Sequence, residues 1–379
     1  MSDKVDVNEH RRRGGRFTEE DAELVSAEVV PITAHATREP IVAPQLAEGL
    51  RASLERVRRR RDRQELPLPV PWPSLAAELG RGLWPGTFAL LVGNTGAGKS
   101  QFAMQLAWHA ANAGHPVLYV SLEVDKFSMH CRAVALAARD LDPVNAPKWS
   151  ALYFGEVNDA ELALAESAAD RVEAHPHFRL EVGAPSGWDV GQLRELVASV
   201  RAAHPGKPVL VVLDYLQLAD DQGEEKELRL RMKHAVAEGQ RIAMDAENPA
   251  AVLFLSSTAR MNYGALSGTE DVSTNGEQPS KRRKGAQSIP LGKGDPTRFV
   301  GTGKESGDLE FTAQTVLVLA QEPWPEEGRP AEGTHVWLAV AKGRARPKDA
   351  QNGWVQLRFD GSCFYEPGPT RHVPREWDV

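Results

Sequence analysis

GNTGAGKS, residues 93–100, is the stretch of this 379-residue chain that decides its fold. It fits the pattern GxxxxGK[ST], follows the apolar run at residues 88–92 and opens a segment with helical spacing at residues 99–113. Glycines let backbone N–H groups point towards phosphate oxygens, and a helix N-terminus adds the positive end of its dipole. The stretch and its flanks therefore predict a phosphate-binding loop rather than an ordinary glycine-rich turn.

The phosphate-binding loop gives its residues separate roles. Lys99 is expected to bind the terminal phosphates of a nucleotide and to assist catalysis, and Ser100 is expected to bind Mg²⁺. The predicted nucleotide-binding residues are Gly93, Asn94, Thr95, Gly96, Ala97, Gly98, Lys99, Ser100 and Gln101. A nucleoside triphosphate and Mg²⁺ are therefore the predicted cofactors.

Two carboxylates follow apolar runs where a metal–nucleotide site needs acids. Asp214 ends the run at residues 209–213 and can hold the water shell of Mg²⁺; a turn-starting Asp is the alternative. Glu123 follows the run at residues 117–120. If that run lies beside residues 88–92, Glu123 emerges near the γ-phosphate, where it can deprotonate an attacking water. A solvated or helix-capping acid is the alternative for Glu123, and a kinase would use that position for a substrate hydroxyl.

Short apolar runs alternate with helical patterns over most of the chain, which predicts an α/β fold. Near-continuous apolar strands are typical of a mostly parallel central sheet with helices on both faces. Strands are predicted at residues 88–92, 117–120, 178–182, 209–213, 251–255, 315–319, 336–341 and 354–359, and helices at residues 99–113, 126–139, 156–174, 190–203 and 227–245. Asp125 is the predicted N-cap of the second of these helices.

The ends of the chain differ from its centre. Residues 1–44 lack sustained periodicity and are predicted to be disordered, and residues 366–379 are predicted to form an extended tail. Residues 45–71 are predicted to form a flexible arm with one helix and a Pro-rich connector. The α/β fold is predicted over residues 72–365, interrupted by a long basic loop at residues 261–304.

Composition narrows the class of protein. A net charge of −7 argues against a chain that coats nucleic acid with its whole surface, but it allows a local basic channel. Cys131 and Cys363 lie far apart and suggest neither a disulfide framework nor a zinc site. We find no signal peptide and no membrane-spanning stretch, so a cytoplasmic location without a membrane partner is expected.

The long loop carries the candidate contacts to nucleic acid. Lys281, Arg282, Arg283 and Lys284 are predicted to follow a nucleic-acid phosphate backbone without reading sequence, with Lys293 and Arg298 in the same loop. The alternative is a solvated charged loop. The arginines at residues 56–63 either bind DNA or keep an exposed helix soluble.

Residues 72–365 resemble the RecA-like ATPase domain of DnaB-type bacterial replicative helicases. The segments that carry the resemblance are PGTFALLVGNTGAGKSQFAMQLAWHAA (85–111), VLYVSLEVDKFSMHCR (117–132), PVLVVLDYLQLAD (208–220), FLSSTAR (254–260), GKESGDLEFTAQTVLVL (303–319) and AVAKGRARPKDAQNGWVQLRFDG (339–361). The likeness does not extend to the helical N-terminal domain of that family. Residues 45–64 occupy the place of its linker helix.

The resemblance implies a ring-forming ATPase, usually hexameric, with ATP at subunit interfaces and DNA in the central channel. It implies that Glu123 is the catalytic base and that Lys342 and Arg344 reach the γ-phosphate of a neighbouring subunit's ATP. On spacing alone, a solvated basic strand end explains these two cations equally well. A replication-initiator or loader protein is left open as a further partner.

Two segments of this chain depart from the family pattern. Ser257 replaces a glutamine, and FTAQ at residues 311–314 replaces an acidic segment.

The sequence leaves three functions open. The leading hypothesis is an ATP-driven helicase acting on single-stranded DNA. The second is a regulatory or scaffold ATPase of the same fold that unwinds nothing. A P-loop phosphotransferase is the third.

Overall fold

The computed structural model describes residues 46–183, 190–214, 225–258, 291–300, 310, 312–322, 333–344, 346–347, 350 and 352–368. It divides the chain into two units, Met1–Glu65 and Leu66–Val379. The predictions for residues 1–44, for residues 369–379 and for the basic cluster Lys281, Arg282, Arg283 and Lys284 lie outside the described residues.

The first unit contains the helix that the apolar spacing predicts. Helix α1 spans Leu46–Arg61, and its residues Leu50, Leu54 and Val57 are each more than half exposed. The chain turns after the helix, and the Glu65 carboxylate accepts hydrogen bonds from the side chains of Arg56 and Arg60. Part of the arginine cluster is therefore paired within its own unit.

The second unit is built on one sheet. Within the described residues its strands are β1 (Phe88–Gly93), β2 (Val117–Ser121), β3 (Phe178–Val182), β4 (Leu210–Asp214), β5 (Ala251–Ser257), β6 (Thr315–Gln321), β7 (Thr334–Gly343), β8 (Trp354–Phe359) and β9 (Phe364–Tyr365). Their order is β3-β2-β4-β5-β1-β6-β7-β8-β9. All pairings from β3 to β6 are parallel, and those from β6 to β9 are antiparallel. The predicted mostly parallel sheet is confirmed.

Helices cover the two faces of the sheet. They are α2 (Pro73–Glu78), α3 (Lys99–Asn112), α4 (Lys126–Leu141), α5 (Trp149–Phe154), α6 (Asp159–Glu173), α7 (Val190–Ala203) and α8 (Glu225–Ala243). Alternate residues of each central strand enter different apolar clusters, with Leu91 and Val212 on the α3 side and Leu90 and Val211 on the α8 side. Burial of both faces explains why these strands are apolar at nearly every position.

The strand order corrects one assumption about Glu123. The argument for Glu123 required residues 117–120 to lie beside the P-loop strand, but β4 and β5 lie between β2 and β1. Asp214, at the end of β4, is likewise separated from β1 by β5. Because β1, β2, β4 and β5 are parallel, their carboxyl ends still meet at one edge of the sheet. Glu123 reaches that edge through the pairing of β2 with β4.

The helix predicted at residues 156–174 is helix α6, which spans Asp159–Glu173, and a separate short helix that was not predicted, α5, precedes it. Helix α5 ends at Gly155, whose φ of 71° is left-handed. Helix α6 then begins behind Asn158, whose side chain accepts a hydrogen bond from the Glu161 backbone N–H while the Glu161 carboxylate accepts one from the Asn158 N–H. This reciprocal capping box fixes the start of α6.

The Pro-rich stretch before α2 packs within the second unit. Leu68 and Val70, which the sequence analysis assigned to a connector, are fully buried in the apolar cluster on the α3 side. Leu68 also exchanges backbone hydrogen bonds with Leu83. Within the described residues, no helix is long and apolar enough to cross a membrane.

Candidate nucleotide-binding site

The predicted phosphate-binding loop joins β1 to α3 and requires glycine at specific positions. Gly98 is the N-cap of α3 with a φ of 88°, and a Cβ there would lie 2.8 Å from Cζ of Phe364. A Cβ on Gly93 would lie 2.8 Å from the carbonyl oxygen of Leu319. The loop can therefore curl tightly over the helix N-terminus only with these glycines, which is the geometry that cradles phosphate.

Lys99 closes over the loop that precedes it. Its Nζ donates hydrogen bonds to the carbonyl oxygens of Gly93 at 2.9 Å and Asn94 at 3.0 Å. Burial lowers the pKa of Lys99, and the negative charges of Glu123 and Asp214 oppose this shift. One buried cation thus lies within electrostatic reach of both predicted acids.

Asp214 is a buried carboxylate at the end of β4, 1% exposed. Burial raises its pKa, while hydrogen bonds from the Ser100 and Tyr119 side chains and the charges of Lys99 and Arg132 act against that rise. Ser100 and Asp214 offer the oxygen donors that Mg²⁺ prefers, and Mg²⁺ is usually held by one or two protein ligands together with substrate phosphates. The donor set therefore fits Mg²⁺. No larger cluster of metal-ligating side chains occurs in the described part of the chain.

Glu123 lies just beyond β2 and not in the helix that follows. Its neighbour Leu122 donates a backbone hydrogen bond to the Asp214 carbonyl oxygen at 2.6 Å. Asp125 caps α4 by accepting a hydrogen bond from the Ser128 N–H, as predicted, so the helix does not use Glu123 as its cap. Partial burial and the charge of Asp214 raise the pKa of Glu123, with Lys99 opposing them.

Gln101 has a partner that the sequence did not reveal. Its fully buried side chain donates a hydrogen bond to the carbonyl oxygen of Ser362 at 2.6 Å and accepts one from Arg132 at 3.2 Å. These bonds tie the first turn of α3 to the β8–β9 turn and to α4. Any contribution of Gln101 to nucleotide binding therefore comes from its backbone N–H while these bonds are intact.

Ser257, which stands where the resemblance implies a glutamine, ends β5 directly opposite Gly93. The next residue, Thr258, donates its backbone N–H to the Gly93 carbonyl oxygen at 3.2 Å. The end of β5 is therefore coupled to the first residue of the loop. A serine side chain is shorter than glutamine and spans less of the space in front of the strand.

Lys342 and Arg344 are not brought to the phosphate-binding loop of their own chain. Gly343, between them, pairs with Thr315, whereas Gly93 pairs with Leu319 at the other end of β6. Four residues of strand correspond to about 13 Å. The sequence analysis placed both cations at a strand end; β7 ends at Gly343, so Lys342 lies in the strand and Arg344 lies in the following turn.

The environments of the two cations also differ. Arg344 is exposed. Lys342 donates a hydrogen bond from Nζ to the Glu310 carbonyl oxygen at 3.0 Å, and burial together with the nearby Arg344 lowers its pKa. Of this pair, Arg344 therefore offers the more accessible positive charge.

The described end of the long loop packs against the sheet. Lys293 is exposed, but the guanidinium of Arg298 lies 4.8 Å from the Phe299 ring centroid and 5.8 Å from that of Trp354. Phe299 itself is buried, in a short 3₁₀ helix at Pro296–Phe299. Arg298 thus has a packing role that the sequence analysis did not foresee.

Comparisons with known proteins agree with this architecture. Residues 70–257 match a family model described as an AAA domain. The solved structure of the ATPase domain of G40P superimposes with a TM-score of 0.62 at 18% identity, covering 86% of this chain and 100% of that one. The fold is therefore a RecA-like P-loop ATPase fold. A DnaB-like replicative helicase, solved in a study of its interactions with primase, matches this chain with a TM-score of 0.58 at 18% identity. That match covers 78% of this chain and 61% of the helicase. No curated protein matches the sequence significantly.

Proposed function

We propose that this chain is an ATPase that hydrolyses ATP at subunit interfaces and couples hydrolysis to movement along single-stranded DNA. One observation carries the hydrolytic part: a buried lysine of the phosphate-binding loop, Lys99, interacts electrostatically with both Glu123 and Asp214. A phosphate cradle, a metal-holding acid and a second acid of raised pKa at one sheet edge are the parts that nucleotide hydrolysis needs. The AAA-domain match and the RecA-like fold support the same activity.

Each residue has a defined task in the proposed reaction. Lys99 exchanges its bonds to the Gly93 and Asn94 carbonyls for bonds to the terminal phosphates of ATP. Ser100 and Asp214 would hold Mg²⁺, and the bound ion would supply positive charge beside the phosphates. Glu123 accepts a proton from the attacking water, since its raised pKa lies closer to the working pH than that of an ordinary glutamate.

The strand register supports completion of the site by a second chain. The Lys342–Arg344 pair lies about 13 Å along the sheet from the level of the phosphate-binding loop. An exposed arginine this far from the loop of its own chain is better placed to stabilise transition-state charge on a nucleotide bound by another subunit than on one bound by its own chain. We therefore assign Arg344 as the residue supplied in trans, in an assembly that the family resemblance favours as a hexameric ring.

The DNA part of the proposal depends on charge in the long loop. Lys281, Arg282, Arg283 and Lys284 form a run of cations in a chain of net charge −7. Cations of this kind bind phosphate backbones without reading sequence. The long loop follows β5, whose last residue lies opposite Gly93. A nucleotide-dependent shift at the phosphate-binding loop can therefore pass to β5 through the hydrogen bond between Thr258 and Gly93, and from there along the chain to these cations.

The decisive experiment measures steady-state ATP hydrolysis across a protein-concentration series, with and without single-stranded DNA. We expect the rate per subunit to rise with protein concentration and to rise further with DNA. A rate independent of concentration would contradict interface sites. A concentration-dependent but DNA-indifferent rate would favour the regulatory or scaffold ATPase, whose assembly ATP controls without unwinding.

A further inference from the structure

Tyr119 places a phenolic hydroxyl inside the predicted metal site. Its side chain is fully buried in the apolar cluster on the α3 side of the sheet. The hydroxyl donates a hydrogen bond to Oδ2 of Asp214 at 2.9 Å and lies 3.2 Å from the carbonyl oxygen of Ser100. One side chain from β2 therefore contacts both residues that are proposed to hold Mg²⁺, one on β4 and one on α3.

The Tyr119 bond restricts how the Asp214 carboxylate can rotate. An aspartate side chain turns easily about its last torsion, because that torsion has broad, shallow minima. In this protein one carboxylate oxygen of Asp214 is held by Tyr119, and the Ser100 side chain makes a second hydrogen bond. Two partners on different elements define the plane of the carboxylate. A buried carboxylate also needs such partners, since its desolvation is costly without them.

We propose that Tyr119 is a positioning residue for the Mg²⁺ site, which orients the Asp214 carboxylate so that its other oxygen faces the metal. This inference rests on the proposed role of Asp214 in holding Mg²⁺. It assigns a function to a residue that apolar patterning alone would treat as core. It also predicts that the hydroxyl, and not the ring, carries the effect.

The test compares metal-dependent with metal-free nucleotide binding. Fluorescent ADP is titrated against the wild type and Tyr119→Phe, first across a Mg²⁺ series and then in EDTA. We expect the Mg²⁺ concentration for half-maximal enhancement of binding to rise about three- to tenfold in Tyr119→Phe, because a hydrogen bond to a charged group is lost. Affinity in EDTA is expected to stay unchanged. Tyr153→Phe, which removes a hydroxyl on helix α5, is the matched control and should match the wild type in both titrations.

A double-mutant cycle with Asp214→Asn separates this inference from the proposed function. If Tyr119 acts through Asp214, adding Tyr119→Phe to Asp214→Asn produces no further change in Mg²⁺ dependence. A normal Mg²⁺ dependence in Tyr119→Phe alongside a weakened one in Asp214→Asn would overturn the positioning role alone. A normal dependence in Asp214→Asn would overturn the metal assignment itself.

Folding is monitored in the same experiment, since the hydroxyl is buried. Thermal denaturation without nucleotide shows the structural cost of each variant, and the stabilisation added by ADP with Mg²⁺ over ADP with EDTA shows the metal-specific part. A metal-specific part that is smaller in Tyr119→Phe supports the proposal even if the variant melts earlier. Equal losses with and without Mg²⁺ would mean that Tyr119 only packs.

Discussion

Ser121 on β2 and Asp214 on β4 are register partners at the carboxyl edge of the sheet. Glu123 lies two residues after Ser121, just outside the strand, so the pairing of these two strands brings both proposed acids to one place. Neither strand touches β1, which carries the phosphate-binding loop. One strand pairing, that of β2 with β4, therefore sets the position of the two acids relative to each other. Their position relative to the phosphate-binding loop depends in addition on β5, which lies between β4 and β1.

Lys99→Ala should weaken ATP binding by about 100-fold, because the variant removes the charge-assisted hydrogen bonds that the lysine would make to the terminal phosphates. Isothermal titration calorimetry measures the change. Lys207→Ala is the control: Nζ of Lys207 also donates to a backbone carbonyl, that of Gly114, but it precedes β4 at the opposite sheet edge. Wild-type affinity in Lys99→Ala would contradict the phosphate assignment.

Glu123→Gln should bind ATP normally and lose hydrolysis by about 10²–10⁴-fold, since the amide keeps the size of the side chain but cannot accept the proton of the water. Single-turnover hydrolysis with radiolabelled ATP gives the rate, and the exposed Glu156→Gln serves as the control. Full turnover in Glu123→Gln would show that another group activates the water.

The pH dependence of the same reaction follows from the environment of Glu123. Burial and the charge of Asp214 hold the pKa of Glu123 above its ordinary value of 4.5. A base works in its deprotonated form, so hydrolysis should fall as pH is lowered through this raised pKa. On the acid side of the pH–rate profile, the midpoint of the fall in rate should therefore lie above pH 4.5. The residual activity of Glu123→Gln should not show this fall. A fall that persists unchanged in the variant would belong to a different group.

Arg344→Ala should lower hydrolysis by about 10³-fold or more while leaving ATP binding intact, as expected for a residue that contacts only transition-state charge. Mixing it with Lys99→Ala should restore part of the activity. In mixed assemblies, an intact loop of the Arg344→Ala chain can meet an intact arginine of the Lys99→Ala chain. Mixtures no more active than the sum of the separate variants would indicate that each chain works alone.

Arg346→Ala should lower stability rather than catalysis. The Arg346 guanidinium pairs with Glu78, which is 2% exposed and also accepts a hydrogen bond from the Gly353 N–H. Removing the cation leaves a buried carboxylate without its ion pair, which costs about 3–5 kcal/mol of unfolding free energy. Urea denaturation measures this loss. The exposed Arg344→Ala should change stability by less than about 0.5 kcal/mol.

Replacing Lys281, Arg282, Arg283 and Lys284 together by Ala should weaken binding to single-stranded DNA and flatten its salt dependence. Each cation that contacts a phosphate contributes about 0.7 to the slope of log affinity against log salt. Fluorescence anisotropy at several salt concentrations gives the slope. The matched variant replaces Arg58, Arg59, Arg60 and Arg61 of α1, which removes the same charge. A larger effect from the α1 variant would move the DNA contact from the loop to the arm.

The parts of the fold that follow local rules could be predicted from the sequence. The phosphate-binding loop needs glycines and a lysine at fixed spacing, and Asp125 is a capping residue of the expected type. Asp214 follows an apolar run that is buried on both faces. Each of these signals lies within a few residues of the feature it specifies.

The parts that depend on distant contacts could not be predicted. The partner of Gln101 is Ser362, and the partner of Tyr119 is Asp214. Their hydrogen bonds join residues far apart in the chain, and an apolar or polar pattern gives no sign of them. The order of β2, β4, β5 and β1 is likewise a property of the whole sheet. The start of α6 is different, because the pairing of Asn158 with Glu161 was visible as a capping pattern and was missed.

The separation of the phosphate-binding loop from Arg344 along the sheet determines how many complete catalytic sites an assembly of a given number of subunits can have. If one chain's Arg344 serves the next chain's loop, the donating and receiving faces are different, and the contact is heterologous. In an assembly that does not close on itself, the phosphate-binding loop of the subunit at one end receives no Arg344 from a neighbour. The Arg344 of the subunit at the other end has no neighbouring loop to serve. Closing the assembly into a ring joins those two ends, so closure completes one more catalytic site without adding a subunit.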